Sequence, residues 1–159
     1  SRDLPRAEWT PVGPSSYELL YRSGAGLTPR PLRRIASGGE LSRVMLASKV
    51  VLGNADGVDT LVFDEVDAGV GGSTARALAG VLADLAATHQ VIVVTHLAQV
   101  AVMADKHYVV SKEPGDVPQT HLDEVTGEAR TAEIARMLSG DQSEASLAHA
   151  RQMLEEARG

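Results

Sequence analysis

The sequence has no cysteine. That excludes disulfide staples and cysteine-ligated zinc, suits a reducing compartment, and leaves the fold to rest on burial and hydrogen bonding. Aromatic residues are almost as scarce: Trp9, Tyr17, Tyr21, Phe63 and Tyr108 are scattered along the chain, so no platform for stacking unpaired bases is visible. No apolar run approaches the roughly 20 residues that span a bilayer, and the amino terminus lacks the basic-then-apolar order of a signal peptide. A cytoplasmic protein with no membrane partner is the expectation. The formal charge of -6 argues against a chain-wide electrostatic grip on nucleic acid, although a local patch is compatible with it. Arg22, Arg30, Arg33 and Arg34 form such a patch, for which an ordinary solvated surface is the simpler reading. The first residue is Ser1 rather than Met, as in a trimmed product or a piece of something longer.

What is present is enough for a core: 159 residues, 43% of them apolar. A Pro- and Gly-punctuated lead-in over 1–16 precedes a strand predicted over 17–23, a Gly/Pro loop, and a helix over 39–52. Along that helix Leu41, Val44, Met45, Ser48, Val51 and Leu52 recur at helical spacing, and Gly53 supplies the stop. "TLVFDE" (60–65) and "VIVVTH" (91–96) read as short strands buried on both faces. A helix over 74–88, with Ala75, Leu78, Leu82 and Leu85 on one stripe, joins them. Strand, helix and strand in that order make a βαβ unit with parallel strands, so the expected class is α/β with a parallel core. A short helix over 98–103, strands over 107–112 and 120–125, and helices over 131–138 and 144–157 follow. In the last, Leu147, Ala150, Leu154 and Ala157 form a stripe expected to pack on its own domain.

Three short stretches carry chemistry. In "SGGE" Ser37 and Glu40 have the spacing of a capping box. Gly38 and Gly39 cost helix propensity, about 1 kcal/mol each, but leave bare amides at a positive helix end, where an anion can approach. In "TLVFDEVD" Asp64 and Glu65 stand at the carboxyl end of a strand, where open parallel sheets gather ligands. One carboxylate there can hold Mg²⁺ through its water shell while its neighbour, directed the other way by strand alternation, polarises a water. In "VTH" His96 ends the next strand and can meet the same phosphate. The other histidines (His89, His107, His121, His149) show no ligand spacing and are expected on the surface or in packing. An ordinary helix start, a solvated acidic turn and a structural histidine remain alternatives for the three stretches taken singly.

Taken together and in order, they resemble the ABC-type ATPases: "SGGELSR" the signature motif, "TLVFDE" Walker B, "VDAGVGG" the D-loop and "VTH" the switch histidine. "IASGGELSRVMLASK", "FDEVDAGVGG", "VIVVTHLAQVA" and "IARMLSG" narrow the resemblance to the RecN family of bacterial double-strand break repair ATPases, relatives of SMC and Rad50, from about Tyr17 to the end. Ala98, where the family often has proline, and the loop "SGAGLTPR" depart from it. No GxxxxGK[ST] phosphate loop is present, since none of the three lysines follows a glycine.

The resemblance therefore implies the parallel-sheet core of the carboxyl-terminal lobe of an ABC-type ATPase head over 17–159, with 1–16 leading in from a coiled-coil side. Such a lobe is incomplete without an amino-terminal Walker A lobe and inactive alone. It further implies ATP and Mg²⁺ as cofactors, Ser37, Gly38, Gly39 and Glu40 contacting ATP held by a partner head, and Asp64 on Mg²⁺. Glu65 would be the general base, His96 the γ-phosphate sensor and Asp67 a D-loop contact between two heads. The implied partners are the Walker A lobe, a second head and, through the whole protein, DNA in the nucleoid. An ABC transporter lobe, disfavoured because Glu40 stands where transporters usually have Gln, and a non-catalytic module of the same fold are the competing readings.

Overall fold

The computed structural model describes residues 2–11, 13–22, 24–34, 37–113 and 119–157. The lead-in forms a minimal antiparallel pair, β1 (Arg2–Asp3) with β2 (Ser15–Ser16). The strand expected over 17–23 is reduced to β3 (Leu20–Tyr21), paired with β4 (Arg30–Pro31), and its end at Ser23 lies outside the described residues. Proline at position 31 has no amide hydrogen to donate, which limits how far such a ladder can extend.

The first long helix, α1, spans Gly38–Leu52. Its start is set by Ser37, whose side chain accepts the Glu40 amide at 3.4 Å, and its end by Gly53, with φ at 54°. Half of the capping box is thus made. Gly39, Leu46 and Lys49 are the buried residues of α1, whereas Leu41, Met45, Val51 and Leu52 of the expected stripe are exposed. The helix carries a second apolar face, and nothing among the described residues covers it.

Strand β5 (Thr60–Phe63), helix α2 (Gly72–Ala86) and strand β6 (Gln90–Val93) make the βαβ unit. The strands are parallel with Thr60 opposite Gln90 and Phe63 opposite Val93. Each is shorter than expected, so Asp64, Glu65, Thr95 and His96 stand in the turns beyond the strand ends. The expectation of strands buried on both faces is also corrected. Leu61 and Phe63 point into the core with α2's Ala79, Leu82 and Leu85, while Val62 (66% exposed) and its neighbour Ile92 (46%) face outward. Apolar character on both faces reports what a strand can bury, and only the surrounding elements decide what it does bury.

A one-turn helix α3 (Ala98–Ala101) leads to a hairpin of β7 (His107–Glu113) and β8 (Gln119–Val125), in register from His107–Val125 to Glu113–Gln119. The prolines expected in its loop, Pro114 and Pro118, lie outside the described residues. Helix α4 (Gly127–Ser139) starts a turn earlier than expected and stops at Gly140 in the left-handed region. Helix α5 (Glu144–Glu156) packs on it, with Ala150 and Leu154 buried against Ile134 and Ala135 and with Leu147 and Ala157 flanking, as the stripe predicted. No described helix is long and apolar enough to cross a membrane.

Candidate functional site

The carboxyl ends of β5 and β6 and the amino end of α1 meet on one rim. Val94 donates to the Phe63 carbonyl at 2.9 Å, which holds the two post-strand turns side by side. Glu65 follows with φ at 55°, the one non-glycine residue described at positive φ. Its direction comes from this turn and not from the strand alternation expected from the sequence. A left-handed conformation costs a residue with a Cβ about 1–2 kcal/mol, so the surroundings must enforce it.

The enforcing contact is α1. A Cβ placed on Gly38 would collide with the Glu65 carboxylate, and one on Gly39 would lie 2.8 Å from both the Glu65 carbonyl oxygen and the Ala68 Cβ. The paired glycines are thus explained within the chain itself: they let the 65–68 turn lie directly on the helix end. Arg43, one turn on, closes the contact from above by donating from Nη1 to the carbonyls of Val66 (3.1 Å) and Ala68 (2.9 Å). Sequence reading passed over Arg43, although it belongs to the quoted "SGGELSR". Asp64 is exposed and, with Gly38, Leu41, Ser42 and Met45, borders a groove of about 350 Å³ between α1 and β5.

Asp67 is only 2% exposed. Its Oδ2 accepts the Thr95 hydroxyl and the His96 amide (3.1 Å), and lies 3.2 Å from His96 Nδ1. Thr95 Oγ1 in turn accepts the Leu97 amide at 3.0 Å. Within its own chain the Asp67 side chain, for which the resemblance implied a contact between two heads, is engaged by the 95–97 turn. The His96 ring, 70% exposed, stands out on the rim. Gly38, Gly39, Glu65, Asp67 and His96 are therefore linked through direct contacts of two turns and one helix end. Ser37 stands exposed at the same helix end, and Glu40 is engaged there through its backbone amide.

The remaining histidines are packing or surface residues. His89 is buried with Nδ1 2.9 Å from the Thr88 hydroxyl, and burial, then the nearby Arg130 guanidinium, lower the pKa of His107 while Glu133 works against them. Arg33 pairs with Glu18 at 2.7 Å on the surface, a contact of about 0–1 kcal/mol. Among the described residues no group of three or more His, Cys, Asp or Glu could ligate a metal on its own. A lone strand-end carboxylate such as Asp64 is compatible with Mg²⁺, which keeps much of its water and takes further oxygens from phosphates.

The fold and rim define an α/β protein in which parallel strands end in an acidic turn and a histidine turn beside a glycine-opened helix, at the strand ends where open parallel sheets gather ligands. Comparison with known proteins finds relatives over most of the chain. The chain is 52% identical over 91% of its length to the DNA repair protein RecN of Treponema pallidum, and 52% identical over 93% to that of Deinococcus radiodurans. It is 49% identical over 93% to RecN of Streptomyces coelicolor. It spans about a quarter, 26%, of the length of each, in their carboxyl-terminal part. Over this segment the chain is a relative of the RecN proteins. No protein-family model matches it. A solved chain from a study of ATP-driven dimerization and DNA-stimulated activation of SMC ATPases aligns with a TM-score of 0.47 and 21% identity, over 85% of this chain and 69% of that one, a likeness too slight to build on.

Proposed function

We propose that this chain is the signature-bearing half of a RecN-like ATPase head, which hydrolyses ATP once a lobe carrying a phosphate loop completes it. The observation that carries the reading is the packing of the Glu65 turn on Gly38 and Gly39. A carboxylate held in a strained backbone conformation at the end of a parallel strand, against an exposed helix start, serves no evident packing purpose and is what positioning a base requires.

The chemistry that Mg²⁺ would supply when bound is neutralisation of phosphate charge. Asp64 would hold it through its water shell. Glu65 takes the proton of the attacking water on a carboxylate oxygen, and His96 presents its ring to the γ-phosphate. Ser37 with the α1 amides offers a hydroxyl and a positive helix end to nucleotide held by a second head. The phosphate cradle itself has to come from elsewhere, because no lysine here follows a glycine. ATP would then favour head engagement by mass action, and hydrolysis would release it. A part in DNA repair, with DNA as the partner of the whole protein, is supported by the relatives' name as DNA repair proteins, and repair of double-strand breaks is the finer form of this proposal, resting on the motif resemblance.

The test is ATP hydrolysis by this chain alone and after mixing with a separately made Walker A lobe from a RecN protein. Silence alone and turnover on mixing is the expected result. Turnover by this chain alone, abolished by Glu65→Gln, would overturn the half-site reading, as would silence after a stable complex of the two lobes has formed.

A further inference from the structure

We infer that Asp67 is a positioning residue that fixes the tautomer and orientation of His96. The inference rests on the ATPase reading only for its consequence, because the geometry stands without nucleotide. Asp67 Oδ2 is an anchor for three donors of the 95–97 turn, and the direction of each bond is determined. Thr95 Oγ1 accepts from the Leu97 amide, so its own hydrogen is free to point at Asp67. The His96 amide can only donate. The third group, His96 Nδ1, lies 3.2 Å from the same oxygen, and an ionised carboxylate has no hydrogen to offer it. The ring therefore carries its hydrogen on Nδ1 when neutral, contrary to the usual preference of a solvent-exposed imidazole for Nε2.

Nε2 is then the atom presented to the rim, as an acceptor while the ring is neutral and a donor once it is protonated. The logic is that of a buried aspartate behind a catalytic histidine elsewhere: its loss leaves the ring in place but in the wrong tautomer. Burial matters here. With 2% of Asp67 exposed, water competes little for its oxygen.

The experiment is a long-range ¹H–¹⁵N correlation of the imidazole rings in the ¹⁵N-labelled 159-residue chain without nucleotide, at about pH 9, where an ordinary histidine is neutral. His96 should be protonated at Nδ1. In Asp67→Asn the ring should revert to mainly the Nε2–H form, whereas Thr95→Val, which leaves the carboxylate, should keep Nδ1–H. A wild-type ring protonated at Nε2, or an Asp67→Asn ring unchanged from wild type, overturns the inference. If Asp67→Asn does not fold, the wild-type and Thr95→Val spectra decide. In the completed head Asp67→Asn should lower kcat on the order of tenfold or more with KM little changed, and add nothing to His96→Ala. An additive loss there would overturn the positioning role. A head inactive in every form would instead remove the ATPase reading and leave the spectrum to judge Asp67.

Discussion

Gly38 and Gly39 are adjacent, both open α1, and face different atoms of the 65–68 turn. At Gly39 a methyl group would meet backbone and a Cβ, neither of which can swing away. Gly39→Ala should therefore cost about 1–3 kcal/mol in a urea titration. At Gly38 the obstacle is the end of a flexible side chain, so Gly38→Ala should unfold within about 1 kcal/mol of wild type, yet displace Glu65 and depress turnover of the completed head. Equal stability losses for the two variants would contradict this packing. Glu65 itself divides stability from activity. Asn tolerates the left-handed region better than Glu, so Glu65→Asn should raise the melting temperature while abolishing hydrolysis. Glu65→Gln should keep ATP binding and lower turnover by about two or more decades, as expected for loss of a placed base. Near-normal turnover in Glu65→Gln would remove Glu65 as the base.

Among the elements, the α3, α4, α5 and hairpin assembly sets the response to acid. His107 lies where β7 meets α4, with Nδ1 buried and unpartnered and its pKa lowered by burial first and Arg130 second. A group held below its ordinary value takes up its proton more readily in the unfolded chain. Its contribution is complete above the ordinary value of about 6.5 and is lost as pH falls from there through the folded value. Asp141, in the turn between α4 and α5, adds the same sign lower down. Bonds from the Ser146 hydroxyl, then from the Ser143 amide and the Ser139 and Ser143 hydroxyls, lower its pKa to about 2. That support is present above the ordinary carboxylate range and disappears as pH falls through about 2. Urea midpoints should drop between about pH 7.5 and about pH 5.5, and His107→Gln should flatten that slope while leaving the acid limb near Asp141's titration intact. An unchanged slope in His107→Gln would exclude His107 as its source. Both clusters of the core depend on small residues at contact points, and Ile134→Ala, at a position with no exposure, should cost about 2–5 kcal/mol.

At the scale of the whole molecule, the outer face of the parallel pair carries exposed apolar residues. Val62, Ile92 and Val94 are exposed on the parallel pair, and the exposed Leu41 and Met45 of α1 border the same groove as Val62. Among the described residues β5 and β6 pair only with each other, so each also keeps an open edge. A surface of this kind is an interface or a liability. The chain alone should self-associate, or bind an apolar dye, at concentrations where the double variant Val62→Thr and Ile92→Thr does neither. Addition of the Walker A lobe should suppress the same signal. A monomeric, dye-free wild-type chain would mean that this face is not used.

Much of this architecture was legible from the amino-acid sequence. The βαβ order, the stop at Gly53, the α5 stripe and the Ser37 cap are local matters of period, capping and backbone freedom, so a window of a dozen residues contains their cause. The quoted motifs likewise sufficed to select the relatives, because Ser37, Gly38, Gly39, Asp64, Glu65 and His96 stand in short contiguous stretches. Only the tertiary structure decided which of two apolar faces of α1 is buried, why Glu65 sits at positive φ, and that Asp67 contacts His96 of its own chain. Those outcomes depend on partners distant in sequence: Thr95 bonds to Asp67 across 28 residues, and Arg43 reaches Val66 across 23. A carboxylate next to a motif carries the same local signal whether it faces water or a threonine hydroxyl, and packing alone chooses between them.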